Sequence, residues 1–478
     1  MNKRNSHLLI LASIVTMGLT SCGGGSGSSS SQSNSDSSNS QSSSNAGSSN
    51  QSQSSSSQGG SNISVDPNIK DTISILVPSG NDNEKTMIKN AFDTGFSLLY
   101  PNVELDMQFV SISSYETNIR NRVIAGSLPD IVWTNSPEYI FLVKNDIAEP
   151  LNGYIQGSED AGDFVFKDDF KTSYFDMASI DGLRYAVPRS ADCVVTFYNK
   201  ELLAQANIDT AKIKNGWTWS DFLDICAEWR AYQDGLGKAD TYCVDAYLTG
   251  WGSVSYPLLR SFGADVLDND GKISLDSDGT RNAVNCIRNL TEKKYSVKSG
   301  STSGTSFDTG TTPFCFQSAA FSLYDEKTIL HDKIDVVSFP RIMDNNTPKI
   351  GGGIAGYSIN KKSHNKALAW QFLNYLISKE GQEKMAEGGL SLAPIRKDMD
   401  DFTTQKWGEG YTDKNLSAYL CYDDEKITEE YLSRVSPEYL SGLQEAFQDF
   451  VSDATNSRKS VDKVISDAVD AITDVLNS

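Results

Sequence analysis

Histidine is scarce in this chain of 478 residues, which contains three, and only His331 and His364 lie beyond the first 21 residues. So few imidazoles leave little material for a His/Cys metal cluster or for a histidine general base. The sequence also lacks the Gly-x-Ser-x-Gly turn of serine hydrolases, the His-Glu-x-x-His zinc motif and the Walker phosphate loop. We therefore expect no metal, no cofactor and no catalytic residue.

Long apolar runs and positive charge are also missing. Beyond the N-terminus, no stretch approaches the ~20 consecutive apolar residues that a membrane-spanning helix needs. Lysine and arginine number 42 against 62 aspartates and glutamates, so the net charge is −20. Because such a chain repels nucleic acid and anionic head groups, the sequence predicts no nucleic-acid partner. The excess charge suits a soluble exported protein and is compatible with a neutral ligand.

Cysteine occurs seven times, but never as a Cys-x-x-Cys pair. If Cys22 carries a lipid, as argued below, an even number remains, which permits disulfides in an exported protein. The six others are Cys193, Cys226, Cys243, Cys286, Cys315 and Cys421. Their spacings are long and irregular, and a chain of this size can bury a core without covalent cross-links. The sequence leaves free and paired thiols open and predicts no connectivity.

The N-terminus is typical of an export signal. Lys3 and Arg4 form its positive end, and residues 8–19 are an apolar segment too short to span a bilayer. The signal closes with Leu-Thr-Ser-Cys at residues 19–22, which resembles the bacterial lipoprotein box. That resemblance implies cleavage after residue 21 and a diacylglycerol on Cys22. An ordinary signal peptide with an incidental cysteine is the alternative reading.

A low-complexity tract follows the predicted anchor. Residues 23–62 contain only Gly, Ser, Gln and Asn, apart from Asp36 and Ala46. Such a segment has no apolar surface to bury and predicts a flexible tether. We assign residues 1–21 to the signal peptide and 22–67 to the lipidated cysteine and its disordered tether. The predicted location is the extracytoplasmic face of the cell membrane, where a two- or three-chain anchor gives stable retention.

The first ordered segments alternate between strand and helix patterns. Residues 72–77 (TISILV) form a β-type run, residues 84–99 carry apolar side chains at helical spacing, and residues 103–109 alternate as a strand. A helix and a third strand ending at Trp133 complete a β-α-β-α-β order, which predicts a parallel doubly wound sheet. Ligands of such sheets bind at the carboxyl ends of the strands. The candidates there are Ser79, Asn81, Trp133 and Asn135.

Residues 181–200 (DGLRYAVPRSADCVVTFYNK) organise the middle of the chain. Pro188 cannot donate to a sheet ladder, so the strand that ends there belongs at a sheet edge. Four polar or small residues separate it from a second β-type run, residues 193–198, which leads into a helix. A charged connection of this kind favours a crossover between two sheets over a hairpin. Such a crossover can serve as both a hinge and a ligand wall.

The same residues carry a family resemblance. YAVPR, then FYNKELLAQANID and TWSDFLDICAEW, are similar to segments of the maltose-type extracellular solute-binding proteins of ABC importers. GSLPDIVWTNSPEY at residues 126–139 agrees with the first lobe of that family, and its segments recur in order over residues 70–400. Asn207 stands where the family usually has glycine. The resemblance implies a type II periplasmic-binding-protein fold, with two α/β lobes, each a mostly parallel sheet flanked by helices, and a cleft between them.

The resemblance also implies three crossings between the lobes, near residues 189, 322 and 376. We therefore predict that residues 68–189 with 323–376 form lobe 1. Lobe 2 is predicted to consist of residues 190–322 with 377–478.

Several further site residues follow from the resemblance. Asp192 matches an acidic ligand-contacting position, Trp251 a recurrent stacking tryptophan after glycine, and Tyr324 an aromatic position. Gly352 and Gly353 match a loop where the ligand approaches the backbone, and Arg189 is a nearby polar candidate. Sugar rings combine apolar C–H faces with polar rims, so flat aromatics beside carboxylates and amides suit a carbohydrate.

These observations predict a monomeric, lipid-anchored substrate-binding protein that delivers a mono- or oligosaccharide to an ABC permease. Two alternatives stay open. A carboxylate pair among the acidic residues would allow a secreted polysaccharide-active enzyme. A receptor that reports ligand to a membrane sensor kinase would have the same fold.

Overall fold

A computed structural model describes residues 63–79, 82–245, 251–298, 306–342, 349–389, 392–422, 425–455 and 458–478. The contacts group Gln58–Ser478 as one compact unit. Asn81, the predicted anchor and residues 22–62 of the predicted tether lie outside the described residues. The last part of that predicted tether, residues 63–67, is described, and Ile63 and Val65 pack against the core instead of being disordered. Among the residues described, no helix has the length and apolar character needed to cross a membrane.

The strands form two principal sheets and two short two-stranded ladders. In chain order the strands are β1 (Asp71–Ser79), β2 (Val103–Ser111), β3 (Ile131–Thr134), β4 (Ser179–Ile180), β5 (Leu183–Arg184), β6 (Val187–Pro188), β7 (Val195–Asn199), β8 (Phe314–Gln317), β9 (Ile334–Ser338), β10 (Ile350–Gly351), β11 (Gly356–Ile359) and β12 (Lys426–Ile427). The first sheet has the order β2-β1-β3-β11-β6 and the second the order β8-β7-β9.

Helices cover these sheets. The α-helices are α1 (Asp82–Ala91), α2 (Ser97–Leu99), α3 (Tyr115–Ala125), α4 (Ser136–Lys144), α5 (Asn152–Ala161), α6 (Phe166–Asp169), α7 (Thr172–Asp176), α8 (Lys200–Gln205), α9 (Trp219–Gly235), α10 (Gly252–Ser261), α11 (Asp278–Glu292), α12 (Phe321–Lys327), α13 (Lys366–Ile377), α14 (Lys379–Glu387), α15 (Leu440–Ala454) and α16 (Val461–Leu476). A π-helical turn, Phe92–Phe96, joins α1 to α2. Short 3₁₀ turns occupy Ile112–Ser114, Thr210–Lys212, His331–Lys333, Lys397–Met399, Lys406–Gly408, Leu416–Leu420, Glu430–Arg434 and Pro437–Tyr439.

The first sheet confirms the predicted β-α-β-α-β order. β1 pairs in parallel with both β2 and β3, and its central residues are buried because helices cover the sheet. β11 then adds antiparallel to β3, and β6 adds antiparallel to β11. β6, which contains Pro188, stands at the sheet edge, as its missing N–H donor predicts.

The crossover after β6 is also as predicted, since β6 belongs to the first sheet and β7 to the second. β7 runs directly into α8, where the Asn199 side chain accepts the Leu202 N–H as the N-cap. Asn207, in the turn after α8, has a φ of 54°, a left-handed conformation that asparagine tolerates better than most residues. It therefore replaces glycine there at little cost.

The second sheet departs from the prediction of mostly parallel pairing in both lobes. β7 is antiparallel to β8 and to β9. Side-chain patterns record which residues are buried but not the direction in which distant strands approach one another. β8 and β9 come from more than a hundred residues further along the chain, so the pattern around β7 could not specify their direction.

The sequence of residues 316–324 (FQSAAFSLY) predicts a strand, and the structure differs from that prediction. The strand ends at Gln317, and helix α12 follows, with Tyr324 on it. Phe321 and Tyr324 are three residues apart, so one face of the helix packs both rings against Phe197 of β7. The apolar run from Phe314 is long enough for a strand. Its second half is a helix because the residues that are buried there recur at helical spacing.

The predicted lobe boundaries near residues 322 and 376 are displaced in the structure. β9 pairs with β7, so the chain stays with the second sheet through Ser338 and returns to the first only at β11. Later, α14 packs against α1 in the first lobe, and the turn Leu416–Leu420 packs against β9. The second lobe therefore resumes between α14 and that turn.

The glycine-rich sequence KIGGGIAGYSI at residues 349–359 predicts a pair of strands, but the two strands found there do not pair with each other. β10 pairs with β12, whereas β11 joins the first sheet. Backbone crowding explains the glycines, because a Cβ on Gly351 would lie 1.8 Å from the Ser253 carbonyl oxygen. The stretch is thus a second connection between the sheets.

Candidate ligand-binding site

A cavity of about 450 Å³ lies where these connections meet. Its lining combines residues from strand ends, from the β6–β7 and β10–β11 connections, from the start of α10 and from α15. The lining residues are Trp133, Asn135, Arg189, Asp192, Val194, Trp251, Gly252, Ser253, Ser318, Gly352, Gly353, Ile354, Ala355, Thr428, Glu429, Gln444 and Gln448.

Most of the predicted site residues come together in this cavity. Those on the lining are Trp133, Asn135, Arg189, Asp192, Trp251, Gly352 and Gly353. Ser79 ends β1 and does not appear on the lining, and Asn81 is outside the described residues.

Tyr324 requires a correction, because it belongs to the core of the second lobe. Its side chain is buried, its hydroxyl donates to Asp308 at 2.8 Å, and its ring lies 4.4 Å from that of Phe197. Burial, together with the nearby Cys315 and Asp308, raises the pKa of this hydroxyl well above its ordinary value. The strand assigned to residues 316–324 would have put Tyr324 at a strand end, but helix α12 turns it inward.

Trp133 and Asn135 form the β3 side of the cavity. The Trp133 ring packs edge-on against Tyr115, whose hydroxyl donates to the Trp133 carbonyl oxygen at 3.0 Å. Asn135 precedes α4 as its N-cap but makes no side-chain capping bond. Within the described structure, the buried Trp133 Nε1 and Asn135 Oδ1 have no hydrogen-bond partner. These two residues of the cavity wall therefore offer one hydrogen-bond donor and one acceptor to a ligand.

Arg189 is fixed by partners behind the cavity. Its guanidinium forms an ion pair with Glu84 of α1, which is 1 % exposed and also accepts the Tyr357 hydroxyl. The Arg189 N–H donates to Ala355 O at 3.1 Å, which joins the two connections between the sheets. Because Glu84 already neutralises the guanidinium, Arg189 contributes hydrogen-bond donors more than net charge. Its buried Nε has no partner in the described part of the chain.

Asp192 is the buried carboxylate of the crossover. Burial raises its pKa to about 6, although Arg189 and a hydrogen bond with the Ser318 side chain act in the opposite direction. Its Oδ1 is buried and has no partner among the described residues. A carboxylate kept out of water without full hydrogen bonding costs stability, and a ligand that donates to it would recover that cost.

The absence of a side chain at Gly353 leaves room for the Asp192 carboxylate. The Gly353 N–H donates to the Asp192 carbonyl oxygen at 3.0 Å. A Cβ on Gly353 would lie 2.5 Å from Asp192 Oδ2, and one on Gly352 would lie 2.9 Å from Met177 Sδ. Glycine at residue 353 is therefore required by the position of the acid, independently of any ligand.

Trp251 also lines the cavity, immediately before α10. Its carbonyl oxygen accepts the N–H groups of Val254 and Ser255 and the Ser255 hydroxyl, which anchors the backbone of the residue. The ring is half-buried. A partly exposed aromatic face at a cavity wall is suited to stack on a flat, weakly polar surface.

The C-terminal region supplies a wall that the sequence analysis did not identify. Thr428 and Glu429 follow β12, and Gln444 and Gln448 lie one turn apart on α15. Burial raises the pKa of Glu429 to about 6, partly opposed by a hydrogen bond with Gln444. The only available signal was the spacing of the two glutamines on one helix face, which alone does not distinguish a cavity wall from an exposed surface.

The site therefore combines two tryptophans with many hydrogen-bonding groups. Among the residues that the structure describes, no group of histidine, cysteine or carboxylate side chains could hold a metal ion. A polar, aromatic-sided cavity between two sheets that are joined by crossovers defines a two-lobed binding protein of the type II periplasmic-binding-protein fold.

Comparison with known proteins gives the family. The model of the bacterial extracellular solute-binding proteins matches residues 78–383, and the chain belongs to that family. A binding protein of Brucella abortus is 23% identical over 327 residues, which cover 65% of this chain and 72% of the relative. The predicted family and fold class are confirmed.

Solved structures agree with this fold. The GacH receptor of Streptomyces glaucescens, studied with acarbose, is 18% identical with a TM-score of 0.65, covering 86% of this chain and 99% of the receptor. The sugar-binding protein MalE of Xanthomonas citri is 17% identical with a TM-score of 0.67, covering 85% and 97% of the two chains. At these identities the similarity establishes the fold and leaves the ligand to be argued from the site.

Proposed function

We propose that this protein is the substrate-binding subunit of an ABC importer and that it captures a mono- or oligosaccharide between its two lobes. The observation that carries the proposal is a set of buried polar atoms on residues of one cavity that have no hydrogen-bond partner in the described part of the chain. They are Trp133 Nε1, Asn135 Oδ1, Arg189 Nε and Asp192 Oδ1. Buried polar groups are normally hydrogen-bonded, so a ligand rich in hydroxyl groups would satisfy these four at once.

The aromatic residues favour a carbohydrate among polar ligands. Trp133 and Trp251 border the same cavity as the polar atoms. A sugar ring can place its C–H face on an indole while its hydroxyls reach the carboxylate and amide groups. The cavity volume of about 450 Å³ lies within the ~300–1,000 Å³ common for small-molecule sites. Two proteins with the same fold point to the same class of ligand: GacH has been studied in complex with acarbose, and MalE is described as a sugar-binding protein.

Lobe closure is the proposed working step. The β6–β7 and β10–β11 connections run between the sheets and also line the cavity. A ligand that contacts both lobes stabilises the closed arrangement by its differential affinity for it. The permease then recognises the closed form, and the protein itself performs no chemistry.

We also propose that the protein acts as a monomer held at the membrane by lipid on Cys22, with residues 22–67 as tether. The support is the lipoprotein-like Leu-Thr-Ser-Cys sequence and the Gly/Ser-rich tract after it. Radiolabelled palmitate should label the full-length chain in a Gram-positive host, and the Cys22→Ala variant should stay unlabelled. Equal labelling of both proteins would refute the anchor.

The first test of ligand class is a thermal-shift screen of residues 58–478, the compact unit. The panel should hold mono- and oligosaccharides, amino acids and peptides. A ligand that binds the folded protein raises its melting temperature with concentration. We expect a shift with one carbohydrate class and unchanged sugar after incubation. Hydrolysis products would favour the polysaccharide-active enzyme, and a shift with amino acids or peptides alone would refute the carbohydrate assignment.

A second test separates transport from signalling. Deleting the gene should abolish uptake of the identified radiolabelled sugar, and restoring the wild-type chain should recover it. If uptake persists while transcription of sugar-responsive genes is lost, the sensor-kinase receptor is the correct alternative.

A further inference from the structure

Two buried cysteines of the second lobe lie side by side and have no part in the ligand cavity. Cys226 is on α9 and is 0 % exposed, and Cys243 follows that helix in a connecting segment and is 1 % exposed. Burial, followed by the neighbouring Cys243 thiol, raises the pKa of the Cys226 thiol well above its ordinary value, and the structure holds both cysteines as free thiols. Nothing in the proposed binding function uses them.

The backbone around the two cysteines is held in place by several bonds. Trp229, three residues after Cys226 on α9, donates its indole N–H to Tyr242 O at 3.0 Å. Arg230 donates to Thr241 O at 2.6 Å. On the other side, the Cys243 N–H donates to Tyr295 O at 2.8 Å. The residues before Cys243 are thus bound directly to the helix turn after Cys226, which keeps the two side chains together.

Other cysteines have different neighbours. The Cys193 thiol donates to Tyr419 O at 3.3 Å, and the Cys315 sulfur accepts the Tyr324 hydroxyl at 3.4 Å. Cys286 contacts the Trp219 side chain. A second thiol as a neighbour, on backbone segments that are hydrogen-bonded to each other, therefore distinguishes Cys226 and Cys243 from these three.

We propose that Cys226 and Cys243 form a disulfide in the exported protein, by thiol–disulfide exchange as the chain folds outside the cytoplasm. One cysteine thiolate attacks a sulfur of an oxidising disulfide, either of a thiol oxidase or of a small molecule such as glutathione disulfide. This attack forms a mixed disulfide between that cysteine and the oxidant, and the oxidant's other sulfur leaves as a thiolate. The second cysteine thiolate then attacks the bonded cysteine sulfur. Two protons are lost from the cysteines, and the oxidant departs as two thiols.

The timing follows from burial. Since both sulfurs are closed off from solvent in the folded protein, the exchange must precede completion of the fold. Once formed, the bond is protected from reducing agents by the same packing. It would join α9 to residues 241–245, whose Asp245 N–H donates to Phe314 O of β8 at 3.1 Å. The disulfide would thereby tie the helix layer to the second sheet.

Peptide mapping of the exported wild-type chain tests this proposal directly. Denaturation in N-ethylmaleimide followed by trypsin separates the two cysteines, because Arg230 and Lys238 lie between them. We expect the Cys226 and Cys243 peptides as one cross-linked species that dithiothreitol resolves. The chain should show two fewer reactive thiols than its six cysteines beyond Cys22. Recovery of both peptides as separate maleimide adducts would overturn the proposal.

Matched variants identify the pair. Cys286→Ser should retain the cross-linked species, whereas Cys243→Ser should leave Cys226 reactive with maleimide. Refolding in glutathione disulfide should give a wild-type melting temperature several degrees above that obtained in dithiothreitol, and the doubly substituted Cys226→Ser/Cys243→Ser chain should show no such difference. An equal difference in the double variant would overturn the assignment. If that variant does not fold, the wild-type peptide map alone decides.

Discussion

At the scale of single residues, Asp192 is held in a position that costs the ligand-free protein stability. Its folded pKa of about 6 lies above the ~3.9 of an exposed aspartate, so the folded chain binds this proton more tightly than the unfolded chain does. Its contribution to stability is therefore greatest below pH ~4 and is lost as the pH rises to about 6. The Oδ1 atom of this carboxylate has no hydrogen-bond partner among the described residues, and a ligand that donates to it can offset the cost of burial.

We therefore expect Asp192→Asn to stabilise the ligand-free protein at pH 8 by up to about 3 kcal/mol, with little change near pH 4. Urea unfolding at both pH values measures the difference. The same variant should bind the identified sugar at least tenfold more weakly at pH 8, because a charged acceptor is lost.

A control of opposite sign is available in α9. Hydrogen bonds from the Thr218 side chain and backbone lower the pKa of Asp221, so Asp221→Asn should lose stability at pH 8. If Asp192→Asn lost stability as Asp221→Asn does, the Asp192 carboxylate would have to be stabilised by its surroundings.

Trp251 is the aromatic residue on which stacking can be tested most directly. It is half-buried at the cavity wall and its backbone is anchored by α10. We expect Trp251→Ala to weaken ligand binding at least tenfold, about 1.4 kcal/mol, without unfolding the protein. Isothermal titration calorimetry gives the affinity and circular dichroism the control. Unchanged affinity would remove Trp251 from the site.

Gly353 tests how the backbone positions the acid. Alanine there would bring its Cβ to 2.5 Å from Asp192 Oδ2 and force the carboxylate to move. We expect Gly353→Ala to weaken binding at least tenfold, about 1.4 kcal/mol. Gly235→Ala, at the end of α9 where a Cβ meets no atom within 4 Å, should bind normally. Equal affinity of the two variants would contradict a role for this close approach.

At the scale of secondary-structure elements, α15 extends the site beyond the part of the chain matched by the family model. That match ends at residue 383, whereas Gln444 and Gln448 line the cavity from α15. Both are amides that can donate to and accept from hydroxyl groups. This helix is thus a place where ligand preference can vary while the shared core is kept.

We expect the double variant Gln444→Ala/Gln448→Ala to bind the identified sugar three- to tenfold more weakly, about 1 kcal/mol, and to change the ranking of related sugars. Neither residue belongs to the buried core, but Gln444 hydrogen-bonds the buried Glu429, so a modest fall in melting temperature is expected and binding is compared well below it. Glu445→Ala, exposed on the same helix, is the matched control. Affinities and rankings equal to those of the control would exclude α15 from ligand recognition.

Some strands and helices could be predicted from the sequence and others could not. Local signals were sufficient for β1 to β3, for the edge position of Pro188 and for the helix that follows β7, because each depends on neighbours along the chain. Strand direction in the second sheet depends on residues far away, and it was predicted incorrectly. The prediction of Tyr324 as a ligand-binding residue was wrong for a related reason. The β-type composition of its segment indicated a strand, whereas the segment forms a helix whose rings pack on β7.

Two kinds of signal predicted residues of the cavity: the carboxyl ends of parallel strands gave Trp133 and Asn135, and the family resemblance gave further candidates. Asp192 and Trp251 were placed by their spacing from YNK and from a preceding glycine. Glu429 and Gln444 carry no comparable signal, since they meet the cavity only through the packing of the C-terminal helices.

At the scale of the whole molecule, the connections that join the two lobes also line the cavity. Arg189 is bound to Ala355 and Gly353 to Asp192, so the β6–β7 and β10–β11 connections are hydrogen-bonded to each other. A movement of one lobe must therefore be accommodated by both connections together. The arrangement favours a hinge closure that brings Trp251 and α15 toward the Trp133 wall.

Closure predicts that the identified sugar reduces the radius of gyration of residues 58–478 in small-angle X-ray scattering. A ligand shifts this equilibrium only as far as its affinity differs between the open and closed forms. At a sugar concentration about ten times the wild-type Kd, a variant that binds tenfold more weakly is only about half occupied. Trp251→Ala should therefore contract at most about half as far as the wild type there, and fully once the sugar is raised in proportion to its weaker affinity. Full contraction of the variant at the lower concentration would mean that Trp251 does not contribute to closure. A wild-type radius that stays constant at saturation would contradict lobe closure itself, even if the sugar binds.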